Sequence, residues 1–85
     1  MNQTLAHNIQ NNSIAIGDWA QVKMPDGSIR EFTLASPQEI NPSQGKISNE
    51  SPIGKALWGH VAGDICQYRV GPNSRELLIL QVKKA

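Results

Sequence analysis

The chain has 85 residues, with eight Lys and Arg against seven Asp and Glu, and a formal net charge of +1. This length accommodates one small domain and excludes a second domain of ordinary size. A single cysteine excludes an internal disulfide and any zinc site built on cysteine pairs. The near-neutral charge argues against a domain that holds nucleic acid by neutralising its phosphates.

The first thirteen residues are dominated by Asn and Gln and contain no Lys, Arg, Asp or Glu. Such a composition offers too little apolar surface to offset the entropy of ordering it. We therefore predict that residues 1–13 are a flexible polar tail and that residues 14–85 are the folded domain.

The tail lacks the basic start of a signal peptide, and the longest apolar run, Leu77–Leu80, is far short of the roughly 18 residues of a membrane span. A cytoplasmic protein without membrane contact is expected.

The first regular elements are predicted around a turn. Residues 18–24 alternate between apolar and other side chains, which favours a strand, and Ile29–Ala35 resumes an extended pattern. Between them lies Pro25-Asp26-Gly27-Ser28, in which the proline presets its φ and the glycine tolerates a positive φ. This pattern predicts a β-hairpin. Trp19 points away from the apolar face of the first strand, where it either covers the other face of the sheet or contacts a partner.

A loop and a short helix follow. Ser36–Gly45 contains two prolines and few apolar groups, which predicts an irregular crossing. The helix is predicted to have Ser51 as its N-cap, Pro52 at its first position and Gly59 available to end it. Its apolar residues have the spacing of a helix face that docks on a sheet; they are Ile53, Ala56 and Leu57.

A second hairpin is predicted at the end of the chain. Residues 66–70 alternate, Gly71-Pro72-Asn73-Ser74 supplies a turn, and Arg75–Val82 returns. The unbroken apolar run Leu77–Leu80 favours a central strand covered on both faces. The whole pattern predicts an α+β domain, an antiparallel sheet of two hairpins with one short helix packed on a face.

The sequence shows no catalytic constellation. Neither His7 nor His60 has a Ser or Cys placed beside it with an acid behind it, and Cys66 is expected to be an inert core thiol because it shares the apolar face of a strand. Metal-ligand spacings and phosphate-binding glycine loops are lacking as well. We therefore predict no catalytic residue, no metal site, no cofactor and no enzyme activity. Trp58, near the helix end, suits either partial core packing or an exposed contact.

The segment Gly45–Asp64 resembles the C-terminal domain of the bacterial GreA/GreB transcription elongation factors. Their pattern is G-x-I-S, then S-P-hydrophobic, a basic residue, A-L, and G-D opening a strand. Weaker similarity extends over about Ile16–Val82, and Glu39-Ile40-Asn41 stands where the family shows an E-A-D-like element. The residues that match the pattern are Gly45, Ile47, Ser48, Ser51, Pro52, Ile53, Lys55, Ala56, Leu57, Gly59, Gly63 and Asp64.

The resemblance implies an FKBP-like fold and a partner. In the family this domain docks on RNA polymerase, on a coiled coil of the β′ subunit at the rim of the secondary channel. The acid-Ser-Pro segment that opens the helix makes the contact. Carried over by position, the partner-binding residues are Glu50, Ser51 and Pro52, with Ile53 as a neighbour. A Ser-Pro pair is also a favourable helix start in any protein, and an acid near a helix N-terminus is favourable through the helix dipole. This second interpretation stays open.

Gre factors also carry an N-terminal coiled coil whose acidic tip reaches the polymerase active centre. Here seventeen residues precede Asp18 and none is acidic, so transcript cleavage is not expected. The resemblance then implies a binding module that regulates elongation and meets DNA or RNA only through the polymerase. The direction of regulation and the oligomeric state stay open.

Three alternatives to this module remain. The first is a regulator of the Rnk type, which resembles a Gre factor with a shortened coiled coil. The second is a general protein-interaction domain with another partner. The third is prolyl isomerase activity, which the FKBP-like fold suggests; however, a fold alone does not imply an activity, and four scattered aromatic residues offer no aromatic-lined pocket.

Overall fold

The computed structural model describes residues 12–85, so residues 1–11 of the predicted tail lie outside the described part. The elements are β1 (Trp19–Lys23), β2 (Ile29–Ala35), β3 (Lys46–Ser48), α1 (Pro52–Leu57), β4 (Ile65–Val70) and β5 (Asn73–Lys83). The strands form one sheet of five in the order β3-β2-β1-β5-β4, and α1 packs against β4. This confirms the α+β class with one short helix. No helix of residues 12–85 has the length and apolar character needed to cross a membrane.

The sheet is mixed, which corrects the prediction of an antiparallel sheet. The pairs β1–β2, β1–β5 and β4–β5 are antiparallel, but β3 runs parallel to β2, with Leu34 opposite Ile47. Two short 3-10 helices in the predicted loop, Pro37–Glu39 and Pro42–Gln44, return the chain to β2. Gly45 then adopts a φ of +77°, and a Cβ there would lie 2.9 Å from the Glu31 carbonyl oxygen. β3 has three residues, too few to show a periodicity.

The turn between β1 and β2 uses the residues that the sequence indicates. The Gly27 N–H donates to the Met24 carbonyl at 2.9 Å, with Gly27 at a φ of +89°. Asp26 accepts hydrogen bonds from the Ser28 hydroxyl at 2.7 Å and the Ser28 N–H at 2.9 Å. These bonds hold the pKa of Asp26 below its ordinary value.

The core lies between α1 and one face of the sheet. β5 is central, as predicted, but it is not covered on both faces. Ile79 is 1% exposed whereas Leu80 is 39% exposed. Adjacent residues of a strand point to opposite faces, so Ile79 faces the core and Leu80 faces the open side of the sheet. A β-bulge lies here as well, because Gln21 pairs with Gln81 and Val22 with Ile79, which leaves Leu80 as the extra residue. The buried cluster contains Ile14, Ala20, Val22, Phe32, Leu34, Ala56, Leu57, Cys66, Tyr68, Leu77 and Ile79.

A buried carboxylate joins the two ends of the described chain. Asp18 is 3% exposed, and its oxygens accept from the Ala15 N–H at 2.9 Å and the Ala85 N–H at 2.7 Å. The Lys84 ammonium donates to the same carboxylate and to the Ser13 carbonyl. Burial raises the pKa of Asp18, but the bonds from Lys84, Ala85 and Ala15 and the charge of Lys84 outweigh burial and hold it below its ordinary value. We call residues 13–18 with Lys84 and Ala85 the terminal clasp.

Candidate partner-binding site

Glu50 to Ile53 occupy the start of α1. Ser51 is the N-cap, with extended backbone, and its Oγ accepts the Gly54 N–H at 3.1 Å. Pro52 follows at the first helical position, where a missing N–H leaves no intrahelical bond unmade. The predicted cap is confirmed, and the helix ends at Leu57, just before Gly59 with its φ of +78°. Local sequence chemistry therefore sets both ends of α1.

Ser48, the last residue of β3, organises the turn that precedes the helix. Its Oγ accepts the Glu50 N–H at 2.9 Å. Its carbonyl oxygen accepts both the Ser51 hydroxyl, at 2.7 Å, and the Ser51 N–H, at 3.1 Å. The backbone of Glu50 is therefore fixed to the sheet. The sequence places Ser48 in the family motif but gives no sign of this set of bonds.

Gly54 brings α1 directly onto that turn. It is buried, and a Cβ built on it would lie 1.9 Å from the Ser48 carbonyl oxygen and 2.9 Å from Ser51 Oγ. Neither neighbour is the end of a flexible chain that could move away. No side chain larger than hydrogen fits at this position, so the contact between helix and turn depends on the glycine.

The side chains of the four predicted residues differ in exposure. Glu50 and Pro52 are exposed, Ser51 and Ile53 are half-buried, and Ile53 packs against the core. Within residues 12–85 the Glu50 carboxylate has no hydrogen bond or ion pair. The segment therefore displays an unpaired negative charge on a turn whose backbone is held in place.

Two open grooves flank Pro52. The apolar groove, about 450 Å³ in volume, is lined chiefly by Phe32, Ile47, Pro52, Ile53, Tyr68 and Val70. The charged groove, about 420 Å³, is lined chiefly by Glu50, Pro52, Lys55, His60, Tyr68 and Arg69. Pro52, Tyr68 and Arg69 border both grooves. The exposed proline is therefore a ridge with an apolar surface on one side and a charged surface on the other.

Outside this segment, the cysteine and the titratable side chains described below are buried or make hydrogen bonds within the domain. Burial raises the pKa of Cys66 to about 11, with a contribution from the charge of Asp64, so its thiol is not a nucleophile near neutral pH. Asp64 accepts the Val61 N–H at 3.1 Å and lies 3.0 Å from His60 Nδ1, and these two bonds lower its pKa. Residues 12–85 contain no cluster of three His, Cys, Asp or Glu that could hold a metal ion. His7 lies outside the described residues.

The two tryptophans have different surroundings. Trp58 follows the last turn of α1 and is 44% exposed, so much of its ring is available for contact. Trp19 is half-buried, and the Lys83 ammonium lies 4.9 Å from the centre of its ring. A cation at this distance is attracted to the face of the ring.

Comparisons with known proteins match most of the chain to one family. The family model described as transcription elongation factor GreA/GreB, C-terminal, matches residues 9–84. GreA of Oenococcus oeni is 38% identical over 82 residues, which are 94% of this chain and 51% of that protein. GreA of Halalkalibacterium halodurans is 33% identical over 73 residues, which are 85% of this chain and 46% of that protein. The chain thus spans about half the length of these curated relatives.

Solved structures share the fold of this chain. GreA factor homolog 1 (Gfh1) of Thermus thermophilus superposes with a TM-score of 0.71 at 30% identity, over 86% of this chain and 49% of that one. The GreA/GreB factor of Nitrosomonas europaea, at 23% identity, shares the fold, with a TM-score of 0.68 over 86% of this chain and 62% of that one. The family model covers most of the chain, and the fold agrees with it. The chain therefore belongs to the GreA/GreB transcription elongation factor family and corresponds to its C-terminal part.

Proposed function

We propose that the chain is an RNA polymerase-binding module that regulates transcription elongation in the bacterial cytoplasm. It docks on a coiled coil of the β′ subunit at the rim of the secondary channel. Membership of the GreA/GreB family supports the polymerase as partner. The FKBP-like fold that the resemblance implies adds no activity, because a fold does not by itself imply a function.

The observation that carries this proposal is the state of Glu50. Its backbone N–H is held by Ser48 Oγ at 2.9 Å, while its exposed carboxylate has no partner among residues 12–85. A charge displayed on a preorganised backbone loses little entropy when it binds. Helix capping explains Ser51 and Pro52, whereas the exposed Glu50 carboxylate, which precedes the cap of a six-residue helix, gains at most a small interaction with the helix dipole.

The contact is formed by two adjoining surfaces. Glu50 accepts a charge-assisted hydrogen bond from a basic side chain of the coiled coil. The apolar groove on the other side of Pro52, beside Ile53, receives an apolar side chain of the same helix, as helices commonly dock in grooves. Charge gives this interface its specificity, and the apolar contact contributes most of the buried area.

Binding to the polymerase tests the proposal. Labelled chain is titrated with the cognate core enzyme, and Glu50→Lys is expected to weaken binding at least tenfold, equivalent to about 1.4 kcal/mol. Its melting temperature should equal that of the wild type. Glu31→Lys is the matched control, because Glu31 is an exposed acid on β2 and the charge change is the same. Polymerase lacking the β′ coiled-coil tip should not bind.

Two results would overturn the proposal. In one, the wild-type chain fails to bind the core enzyme; in the other, Glu50→Lys binds as tightly as Glu31→Lys.

We propose further that the chain does not stimulate transcript cleavage. Residues 1–17 contain no Asp or Glu, so they bring no carboxylate to a metal ion in the polymerase. A module that occupies the rim without such an acid competes with factors that have one. Backtracked transcripts should shorten at the same rate with and without the chain, and metal-dependent acceleration above the polymerase's own rate would contradict the proposal.

A further inference from the structure

The charged groove holds opposite charges that do not pair with each other. Glu50, Lys55 and Arg69 all line it, and all three side chains are exposed. Among residues 12–85, none of these side chains makes an ion pair or a hydrogen bond. The three charges share a groove of about 420 Å³ but form no ion pair with one another. Each of them is therefore available to a partner.

The two cations come from different elements and face the same groove. Lys55 stands on the exposed side of α1, and Arg69 stands on β4, where it also borders the apolar groove beside Pro52. The other acid near this end, Asp64, is held by the Val61 N–H and by the His60 ring. A partner seated over Pro52 therefore covers two cations that form no ion pair with any of residues 12–85.

Covering those cations sets a requirement on the partner. Desolvating a charge is strongly unfavourable unless an opposite charge or hydrogen bonds replace the water. An arginine fork matches a carboxylate in geometry, and a lysine ammonium adds a point charge. The chemistry that satisfies this groove is therefore that of an acidic side chain.

We infer that the charged groove binds an acidic side chain of the docking partner through Arg69 and Lys55, in addition to the basic side chain that Glu50 binds. This inference rests on the proposed function, since the partner is the same β′ coiled coil. Two contacts of opposite sign fix the direction in which the partner helix crosses Pro52, because the reversed direction brings like charges together. Lys55 and Arg69 are thus specificity-determining residues.

Charge-altering variants test the inference by titration of core polymerase. Lys55→Glu and Arg69→Glu should each weaken binding about tenfold, and the neutral Lys55→Gln and Arg69→Gln about threefold. Both positions are exposed, so melting temperatures should stay at the wild-type value. Lys23→Glu is the matched control, because Lys23 is an exposed lysine on β1 outside both grooves. The Arg69→Glu complex should also show a weaker dependence on salt than the wild-type complex.

A charge swap identifies the partner group. Each acidic residue of the β′ coiled-coil tip is changed in turn to lysine in the polymerase. One of these polymerases should bind Arg69→Glu more tightly than it binds the wild-type chain. If none does, the acid that the inference requires does not exist and the inference is overturned.

The remaining outcomes separate the inference from the proposed function. If Glu50→Lys weakens binding while Lys55→Glu and Arg69→Glu behave like Lys23→Glu, the inference is overturned and the proposed function stands. If the Gln variants lose as much affinity as the Glu variants, the side chains act by contact and the inference is again overturned. If the wild-type chain does not bind, both fail.

Discussion

Asp18 and Glu50 are two carboxylates in opposite surroundings. Asp18 is 3% exposed, and its oxygens accept hydrogen bonds from Ala15, Lys84 and Ala85. Glu50 is exposed, and its carboxylate has no partner among residues 12–85. A buried charge stabilises a fold only when it is satisfied, whereas an exposed charge without a partner contributes little to folding and can serve binding. We therefore expect Asp18 to serve stability and Glu50 to serve the docking proposed above.

The two regions also differ in what holds them. The terminal clasp joins residues far apart in the chain through two side chains, those of Asp18 and Lys84. The turn before α1 is held by neighbours in sequence, Ser48, Ser51 and Gly54, and Glu50 itself takes part only through its backbone N–H. In the turn, the residues that hold the structure are therefore separate from the charge they display. Substitutions in the two regions should change stability and binding in different proportions.

Gly54→Ala should have the largest effect on stability. The added methyl group would lie 1.9 Å from the Ser48 carbonyl oxygen, so α1 has to move away from the turn. We expect a loss of about 3 kcal/mol of unfolding free energy or more, measured by urea denaturation. The neighbouring Lys55→Ala, on the exposed side of the helix, should stay within about 0.5 kcal/mol. Equal stability of the two variants would show that the helix does not rest on Ser48.

Asp18→Asn should follow in size. The amide keeps the shape of the carboxylate but cannot accept from Lys84 and both backbone N–H groups as a charged acceptor does, and we expect a loss of about 2 kcal/mol. Polymerase binding by the folded variant should be unchanged. Glu31→Gln, an exposed acid, is the control and should match the wild type in both assays. Weaker polymerase binding by folded Asp18→Asn would show that the clasp and the docking segment are coupled.

The effect of Asp18 should depend on pH in one direction. Its folded pKa lies below its ordinary value, so its contribution is present above the unfolded carboxyl pKa of about 3.9 and is lost as pH falls through the lower folded pKa. The difference in stability between the wild type and Asp18→Asn should be constant from about pH 7 to pH 5 and shrink below about pH 4. A difference that stays constant down to pH 2 would mean that the carboxylate charge is not what stabilises the clasp.

Ser51→Ala should lower stability and binding together. Losing a serine N-cap costs about 1 kcal/mol, and the hydroxyl that bonds the Ser48 carbonyl is lost as well. Ser36→Ala is a matched control, because Ser36 precedes the 3-10 helix Pro37–Glu39 without a side-chain cap bond. Thermal denaturation and polymerase titration of both variants check this expectation. If Ser51→Ala and Ser36→Ala lose equal stability, the cap does not stabilise α1.

The parts of this molecule that the sequence predicts are those set by nearby residues. Ser51-Pro52 and Gly59 mark the ends of α1, and the residues of the turn at Pro25-Asp26-Gly27-Ser28 satisfy one another within four positions. The resemblance that indicates the proposed docking segment is densest over Gly45–Asp64, which contains that segment. Hydrogen bonds and caps between residues only a few positions apart can be predicted without knowing the fold.

The parts that the sequence does not predict depend on distant partners. β3 exists because it meets β2, and the bulge at Leu80 exists because β5 pairs with β1 in a shifted register. Asp18 and Lys84 are 66 positions apart, and the residues around each of them do not indicate that the two side chains pair. The charged groove likewise joins Lys55 of α1 to Arg69 of β4. Each of these features is fixed by tertiary packing, which a pattern along one chain does not contain.

Ser48→Ala should have the smallest effect on stability and a larger one on binding. It removes the oxygen that accepts the Glu50 N–H, while the Ser48 carbonyl keeps its two bonds from Ser51. Water can replace the lost bond because Glu50 is exposed, so stability should stay within about 0.5 kcal/mol. Docking must then order the Glu50 backbone, which we expect to weaken polymerase binding about threefold, or about 0.6 kcal/mol.

Two further variants show whether Ser48 acts through Glu50. Ser48→Thr keeps the Oγ and should restore wild-type binding. In a chain that already carries Glu50→Ala, Ser48→Ala should cost no further affinity, because the group that it positions is gone. An equal loss of affinity with and without the Glu50 carboxylate would show that Ser48 supports the surface in some other way. The turn would then be part of the contact itself, and the separation between the residues that hold the turn and the charge it displays would no longer hold.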